Sequence, residues 1–268
     1  FLARRCRTFK FIIMIKELSL VFIILSASSL FAGQTAQKMK EQVSGQKLSY
    51  WIHVPDVAAP ADGWPMLLFL HGAGERGRNL EKVKVHGPPK LIDKFPELKN
   101  SVVVSPQCPR DSWWVSKTLM ALVKEVLSSH GKKINEQRIY VTGLSMGGYG
   151  SWDLISKNND FFAAAAPICG GGSIDRLKGV LKTKDAKPFD INDLITVKDM
   201  PIWAFHGSND KAVPQKESEV LVEALKEAGN ESIKFTSYKG VGHDSWTRTY
   251  NNPKFYKWLY SHERRSGG

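Results

Sequence analysis

The chain has 268 residues, 42% hydrophobic and 24% charged, with a formal charge of +12 from 38 Lys and Arg against 26 Asp and Glu. These fractions exclude a disordered or fibrous chain and fit a globular one large enough to bury a sizeable core. No run of five basic residues and no zinc-finger or RNP-like pattern occurs, so nucleic acid is not an expected partner; three widely spaced cysteines exclude a disulfide scaffold and a four-cysteine zinc site.

The first element is expected to be a leader. Leu18–Phe31 is apolar apart from serines and one alanine, with Lys16 before it and the small residue Ala32 at its end. A charged start, an apolar centre and a small-residue exit are the parts of a secretory signal peptide. Met14 is the expected initiator, with Phe1 to Ile13 as upstream read-through, and cleavage after Ala32 would leave one domain over residues 33–268. A single membrane anchor is the alternative, but Lys16 and Glu17 cut the apolar stretch to less than a spanning helix needs. The expected location is therefore secreted or periplasmic, without stable membrane association after processing. Removing the leader lowers the balance to 33 basic against 25 acidic residues, or +8.

From Lys47 onward, strand-like runs alternate with amphipathic stretches. The runs are Leu48–Val54, Met66–Leu70, Val102–Ser105, Arg138–Thr142, Ala163–Ile168, Ile202–Phe205 and Ile233–Tyr238. Several are apolar without alternation, as strands covered on both faces of a parallel sheet are. Helical spacing joins Leu119, Leu122, Val123, Val126 and Leu127, and again Val220, Leu221, Ala224, Leu225 and Ala228, the latter stopping at Gly229. This order predicts a doubly wound α/β sandwich. Residues 173–200 carry no strong period and are expected as an excursion over the sheet's upper edge.

Gly143-Leu144-Ser145-Met146-Gly147 fits G-x-S-x-G and lies between the run ending at Thr142 and a helix expected from Gly147 to about Asn158. A strand-to-helix elbow holds its serine in a strained turn above the sheet, at a helix N-terminus that favours an oxyanion. A serine needs a base and an orienting acid, in the chain order serine, acid, histidine for such a sheet. Three histidines follow Ser145: His206, His243 and His262. His262 is expected in solvent and His206 as a packed turn residue, leaving His243, in the loop after the last strand, as the base. Asp210 is the expected acid because it follows the preceding strand by five residues; Asp244 is its rival. The oxyanion donors are expected to be the N–H groups of Met146 and of Ala73, in the loop after Met66–Leu70, with Gly74 the alternative to Ala73. His71 is expected to tie that loop down.

Leu70-His-Gly-Ala-Gly-Glu-Arg-Gly77, Ser105-Pro-Gln-Cys-Pro109, Gly143-Leu-Ser-Met-Gly-Gly-Tyr-Gly150, Pro167-Ile-Cys-Gly-Gly171, Phe205-His-Gly-Ser-Asn-Asp210 and Gly242-His-Asp-Ser-Trp246 occur in this order. Together they resemble the secreted bacterial peptidase/phospholipase–carboxylesterase branch of the α/β-hydrolases, which is similar to polyhydroxybutyrate-depolymerase-like and feruloyl-esterase-like proteins. The resemblance runs from about Trp51 to Leu259. It implies a three-layer α/β-hydrolase sandwich on a mostly parallel sheet of about eight strands. It also implies a Ser145–Asp210–His243 triad that hydrolyses carboxylic esters with no metal or organic cofactor. Substrate contacts are expected from Trp114 and Trp246, with Arg76 reading a polar acyl group or pairing with Glu75 to brace its loop. The expected substrate is a small-molecule or polysaccharide-linked ester, feruloyl or acetyl esters among them. The rival readings are a peptidase or phospholipase on the same residues and a non-catalytic binding protein. Cys108 and Cys169 are expected unpaired, because two strands should separate theirs.

Overall fold

A computed structural model describes residues 33–172, 191–197 and 199–264. The expected leader, and residues 173–190 of the expected excursion, lie outside the described residues. Eight strands form one sheet: β1 (Gln34–Lys38), β2 (Ser49–His53), β3 (Trp64–Leu70), β4 (Val102–Gln107), β5 (Ile134–Leu144), β6 (Ala164–Ile168), β7 (Trp203–Gly207) and β8 (Lys234–Tyr238). Their order is β1-β2-β4-β3-β5-β6-β7-β8. The β1–β2 and β2–β4 pairs are antiparallel and all others parallel.

The described α-helices are α1 (Pro96–Lys99), α2 (Ser116–His130), α3 (Met146–Ser156), α4 (Ile191–Ile195), α5 (Lys216–Glu227), α6 (Trp246–Tyr250) and α7 (Pro253–Leu259). Successive side chains of a strand point to opposite faces. In β3, Met66, Leu68 and Leu70 therefore join one core with Leu122 and Val123 of α2, Trp152 of α3 and Leu221 and Leu225 of α5. Leu67 and Phe69 join a second core with Leu98 of α1 and Phe255, Tyr256 and Leu259 of α7. Two cores, one on each face, explain why β3 is apolar throughout and fully buried.

Seven of the eight strands match expected runs. The exception, β1, reads Gln-Thr-Ala-Gln-Lys, is largely exposed, and holds its place by antiparallel pairing with β2 from Gln34↔His53 to Lys38↔Ser49. An edge strand with no buried face carries no hydrophobic signal. The chain leaves β3 toward β4 on one side and returns to β5 on the other. The loops after β3 and β5 consequently open a crevice at this reversal, where ligands bind in such sheets.

Candidate active site

Ser145 caps the N-terminus of α3 with φ 52° and ψ −115°, a left-handed conformation that costs about 1–3 kcal/mol in a non-glycine residue. The surroundings hold it there. Its N–H donates to the Ile168 carbonyl at 2.9 Å, and its carbonyl accepts from the Tyr149 N–H at 3.1 Å. The two flanking glycines exist because the backbone is crowded: a Cβ on Gly147 would strike the Leu70 carbonyl, and one on Gly143 the Gly147 carbonyl.

The Ser145 hydroxyl lies 2.9 Å from His243 Nε2, and His243 Nδ1 lies 2.7 Å from Asp210 Oδ2. Since Nδ1 faces a carboxylate, it carries the proton and leaves Nε2 to accept from the serine. Asp210 sits in the turn after β7, its side chain fully buried, and its Oδ1 accepts the N–H groups of Ala212 and Val213, both at 2.9 Å. Burial pushes the Asp210 carboxyl up, but hydrogen bonds from His206, His243 and the Val213 N–H, with the charge of His243, outweigh it. The net result is a carboxyl well below the usual range. Asp244 is exposed and spends its carboxylate on the Thr247 N–H (3.0 Å) and hydroxyl (2.9 Å) at the start of α6. The rival acid thus points away from His243.

The loop after β3 is stitched to the end of β4. His71 is buried; its Nε2 accepts the Cys108 N–H at 2.9 Å and its Nδ1–H donates to the Gly72 carbonyl. Burial, against the Gly72 bond and with help from the Arg76 charge, pulls His71 down to about 4, so the ring is neutral and structural as expected. Gln107 Nε2 donates to the carbonyls of Glu75 (2.8 Å) and Asn79 (2.7 Å), which explains the Ser105–Pro109 motif. Ala73 opens a short 3-10 helix, Ala73–Glu75, and Met146 is the first residue of α3. Each therefore presents an N–H from a helix start, where no intrahelical partner exists.

Two expectations about substrate contacts change. Trp114 is not an exposed indole: it is 3% exposed, donates Nε1–H to the His71 carbonyl at 3.2 Å and packs edge-on against the His71 ring. Gly150 is glycine because any Cβ there would press on Trp114. The tryptophan is a wall inside the protein, in the core cluster that also holds Leu119 and Leu122 of α2 and Trp152 of α3. Arg76 donates to the carbonyls of Ala73 and Ser112, both at 3.1 Å, so it braces the loop through main chain and not through the ion pair with Glu75. Trp246 stands beside the histidine, its ring edge-on to His243 at 5.3 Å and to His86 at 5.6 Å.

Two neighbours, His86 and Ser218 of α5, carried no sequence signal that singled them out. Cys169, which the sequence places in the Pro167–Gly171 motif, follows β6 beside them, adopts φ 39° and lies fully buried. The Cys169 sulfur, an Asp210 oxygen and a His243 nitrogen lie within 4.8 Å of one another, the one group of potential metal donors among the described residues. Burial pushes the Cys169 thiol up, away from the thiolate that a metal would need, and the other two groups are bonded to each other. His262, expected in solvent, is half-buried with its ring against Trp258 at 4.8 Å.

A parallel-rich eight-stranded sheet with a serine elbow and a histidine entering after the last strand defines the α/β-hydrolase class. Within that class the chain belongs to the dienelactone hydrolase family, whose profile matches residues 109–258. A bifunctional acetylxylan esterase/xylanase of Neocallimastix patriciarum is 26% identical over 191 residues, 67% of this chain and 24% of that one. A thermostable esterase of known structure is 33% identical, with a TM-score of 0.73, over 86% of this chain and 63% of its own. The acylaminoacyl peptidase of Pyrococcus horikoshii shares the fold at 16% identity and a TM-score of 0.64, over 89% of this chain and 43% of its own. The chain thus spans about a quarter of the xylan-degrading relative and under two thirds of the esterase.

Proposed function

We propose that this protein is a serine esterase that cleaves carboxylic esters through an acyl-enzyme on Ser145. The observation that carries the reading is the continuous chain of hydrogen bonds from Ser145 Oγ through His243 to Asp210, on a strained elbow at a helix start. His243 Nε2 takes the serine proton as Oγ attacks the ester carbonyl, and Asp210 stabilises the resulting imidazolium. The N–H groups of Met146 and Ala73 receive the oxyanion. Collapse expels the alcohol, protonated by His243, and water then repeats the sequence on the acyl-serine. Three side chains and two main-chain N–H groups supply this chemistry, and the proposal calls on no cofactor.

The acetylxylan esterase relative and the esterase structure support an ester substrate, small or linked to a polysaccharide, with acetyl and feruloyl esters of plant cell-wall polymers the first to try. Trp246, beside His243, is the wall such an acid or sugar would meet. Export after removal of residues 1–32 belongs to the same proposal; among the described residues no helix is long and apolar enough to cross a membrane. The intact mass of protein expressed from Met14 and recovered outside the cytoplasm should place the new N-terminus near Gly33; retention of Met14 in a membrane fraction would refute export.

Ser145→Ala should abolish hydrolysis of p-nitrophenyl acetate, methyl ferulate and acetylated xylan while leaving the circular dichroism spectrum unchanged. An organophosphonate should label Ser145 stoichiometrically. Esterase turnover surviving in the alanine variant, or label on another residue, would overturn the mechanism. Preferential cleavage of a peptide anilide would overturn the substrate class.

A further inference from the structure

His206 sits at the C-terminal end of β7, four residues before Asp210, and is completely buried. Its Nε2 is 2.9 Å from the Val213 carbonyl and 3.3 Å from Asp210 Oδ2. Both are acceptors only, so Nε2 must carry a hydrogen. Its Nδ1 is 2.7 Å from Ser218 Oγ, and that hydroxyl is also 2.8 Å from the Gly170 carbonyl. Ser218 has one hydrogen and Gly170 can only accept. If the hydroxyl serves Gly170, Nδ1 must donate to Ser218. If the hydroxyl turns to Nδ1 instead, two acceptor oxygens face each other at 2.8 Å where Ser218 is 1% exposed, and the Gly170 carbonyl loses that donor. Only a ring protonated on both nitrogens satisfies every partner.

We propose that His206 is a doubly protonated positioning residue that clamps Asp210 from behind and neutralises its charge. The inference rests on the assignment of Asp210 as the orienting acid. With His206 in place, Asp210 accepts the Ala212 and Val213 N–H groups on one oxygen, and on the other it accepts His243 Nδ1–H at 2.7 Å and meets His206 Nε2 at an ion-pair distance of 3.3 Å. Its carboxylate plane is fixed, so His243 is aimed at Ser145 without searching. The charge matters as well. A bare aspartate would hold the His243 imidazolium strongly and keep the base protonated; a buried cation on the aspartate's far side tempers that pull. Among the described residues the neighbouring elements bring no second buried cation to Asp210: Lys211, next to it in the chain, is exposed, Cys169 at the end of β6 is a thiol held protonated by burial, Glu217 beside Ser218 on α5 is acidic, and β8 places Ser237 opposite His206 in register.

Two measurements test this. In protein labelled with 15N-histidine, both ring nitrogens of His206 should resonate in the protonated range at neutral pH; one in the unprotonated range would overturn the proposal. This readout does not depend on activity, and so it stands or falls separately from the esterase mechanism. The pH profile of kcat/KM in His206→Gln is the second. Glutamine keeps a donor but removes the charge, so the acidic limb should move up by about one pH unit as the imidazolium of His243 gains stability. His206→Leu, which lacks the donor too, should lose kcat further with KM little changed. An acidic limb that stays in place in a folded glutamine variant would leave His206 a packing residue and sink the proposal. Should neither variant fold, the 15N measurement on the wild type still decides.

Discussion

At the scale of single residues, the two aspartates flanking the histidine loop separate cleanly. Asp210 is buried and bonded to His243, whereas Asp244 is spent on the first turn of α6. Asp210→Asn should lower kcat by about 10⁴-fold by presenting the wrong hydrogen to Nδ1, and Asp244→Asn should keep most activity. Steady-state rates on one p-nitrophenyl ester, with both variants checked for folding, make the comparison; a crippled Asp244 variant beside a near-normal Asp210 variant would reverse the assignment. The sequence made Asp210 legible because its position after β7 is a matter of topology. It did not reveal His206 as a partner of that carboxylate, since a histidine before a glycine reads the same whether it packs or holds an acid. The inward orientation of Trp114 is illegible in the sequence for a similar reason. Sequence places it near the crevice, but only packing against Gly150 and His71 shows that it faces inward.

At the scale of elements, the elbow between β5 and α3 works because backbone passes backbone with no side chain between. Replacing a helical glycine by alanine ordinarily stabilises by about 1 kcal/mol. At Gly147 the new methyl would meet the Leu70 and His71 carbonyls, atoms of β3 and its loop that cannot swing aside. The clash should win by about 3 kcal/mol or more, seen as a lowered urea midpoint for Gly147→Ala. A midpoint equal to the wild type would show that β3 and α3 are less tightly coupled than the geometry indicates. Strands with two buried faces, such as β3 and β6, announce themselves by continuous apolar runs. The polar edge strand β1 and the short α6 and α7 do not, because partners elsewhere in the chain stabilise them.

For the whole molecule, acid should loosen the fold before it protonates the carboxylates. His71 is pulled down to about 4 in the folded protein, from an ordinary 6.5. Between those values the unfolded chain binds a proton that the native state refuses. The contribution is therefore complete above about pH 6.5 and lost as pH falls toward 4, about 3 kcal/mol in all. Asp210, held low, adds a second loss only below its ordinary range, near 3.8. Melting temperature against pH should fall from about 6.5 downward, and His71→Asn should flatten that slope while lowering stability at neutral pH. A flat wild-type profile from 7 to 5 would contradict the neutral, buried ring.

The positions of the two described thiols have a consequence of their own. Cys108 follows β4 and Cys169 follows β6, with β3 and β5 between them. Three inter-strand spacings put their backbones about 14 Å apart, twice what a disulfide spans, so an oxidising surrounding has nothing to join while the sheet is intact. Both sulfurs are wholly shielded, and burial holds the Cys108 thiol up at about 12. Neither reacts until the chain around it opens. They are in effect two clocks set at either side of the central strands: the rate at which an alkylating reagent finds each one times the breathing of that half of the sheet.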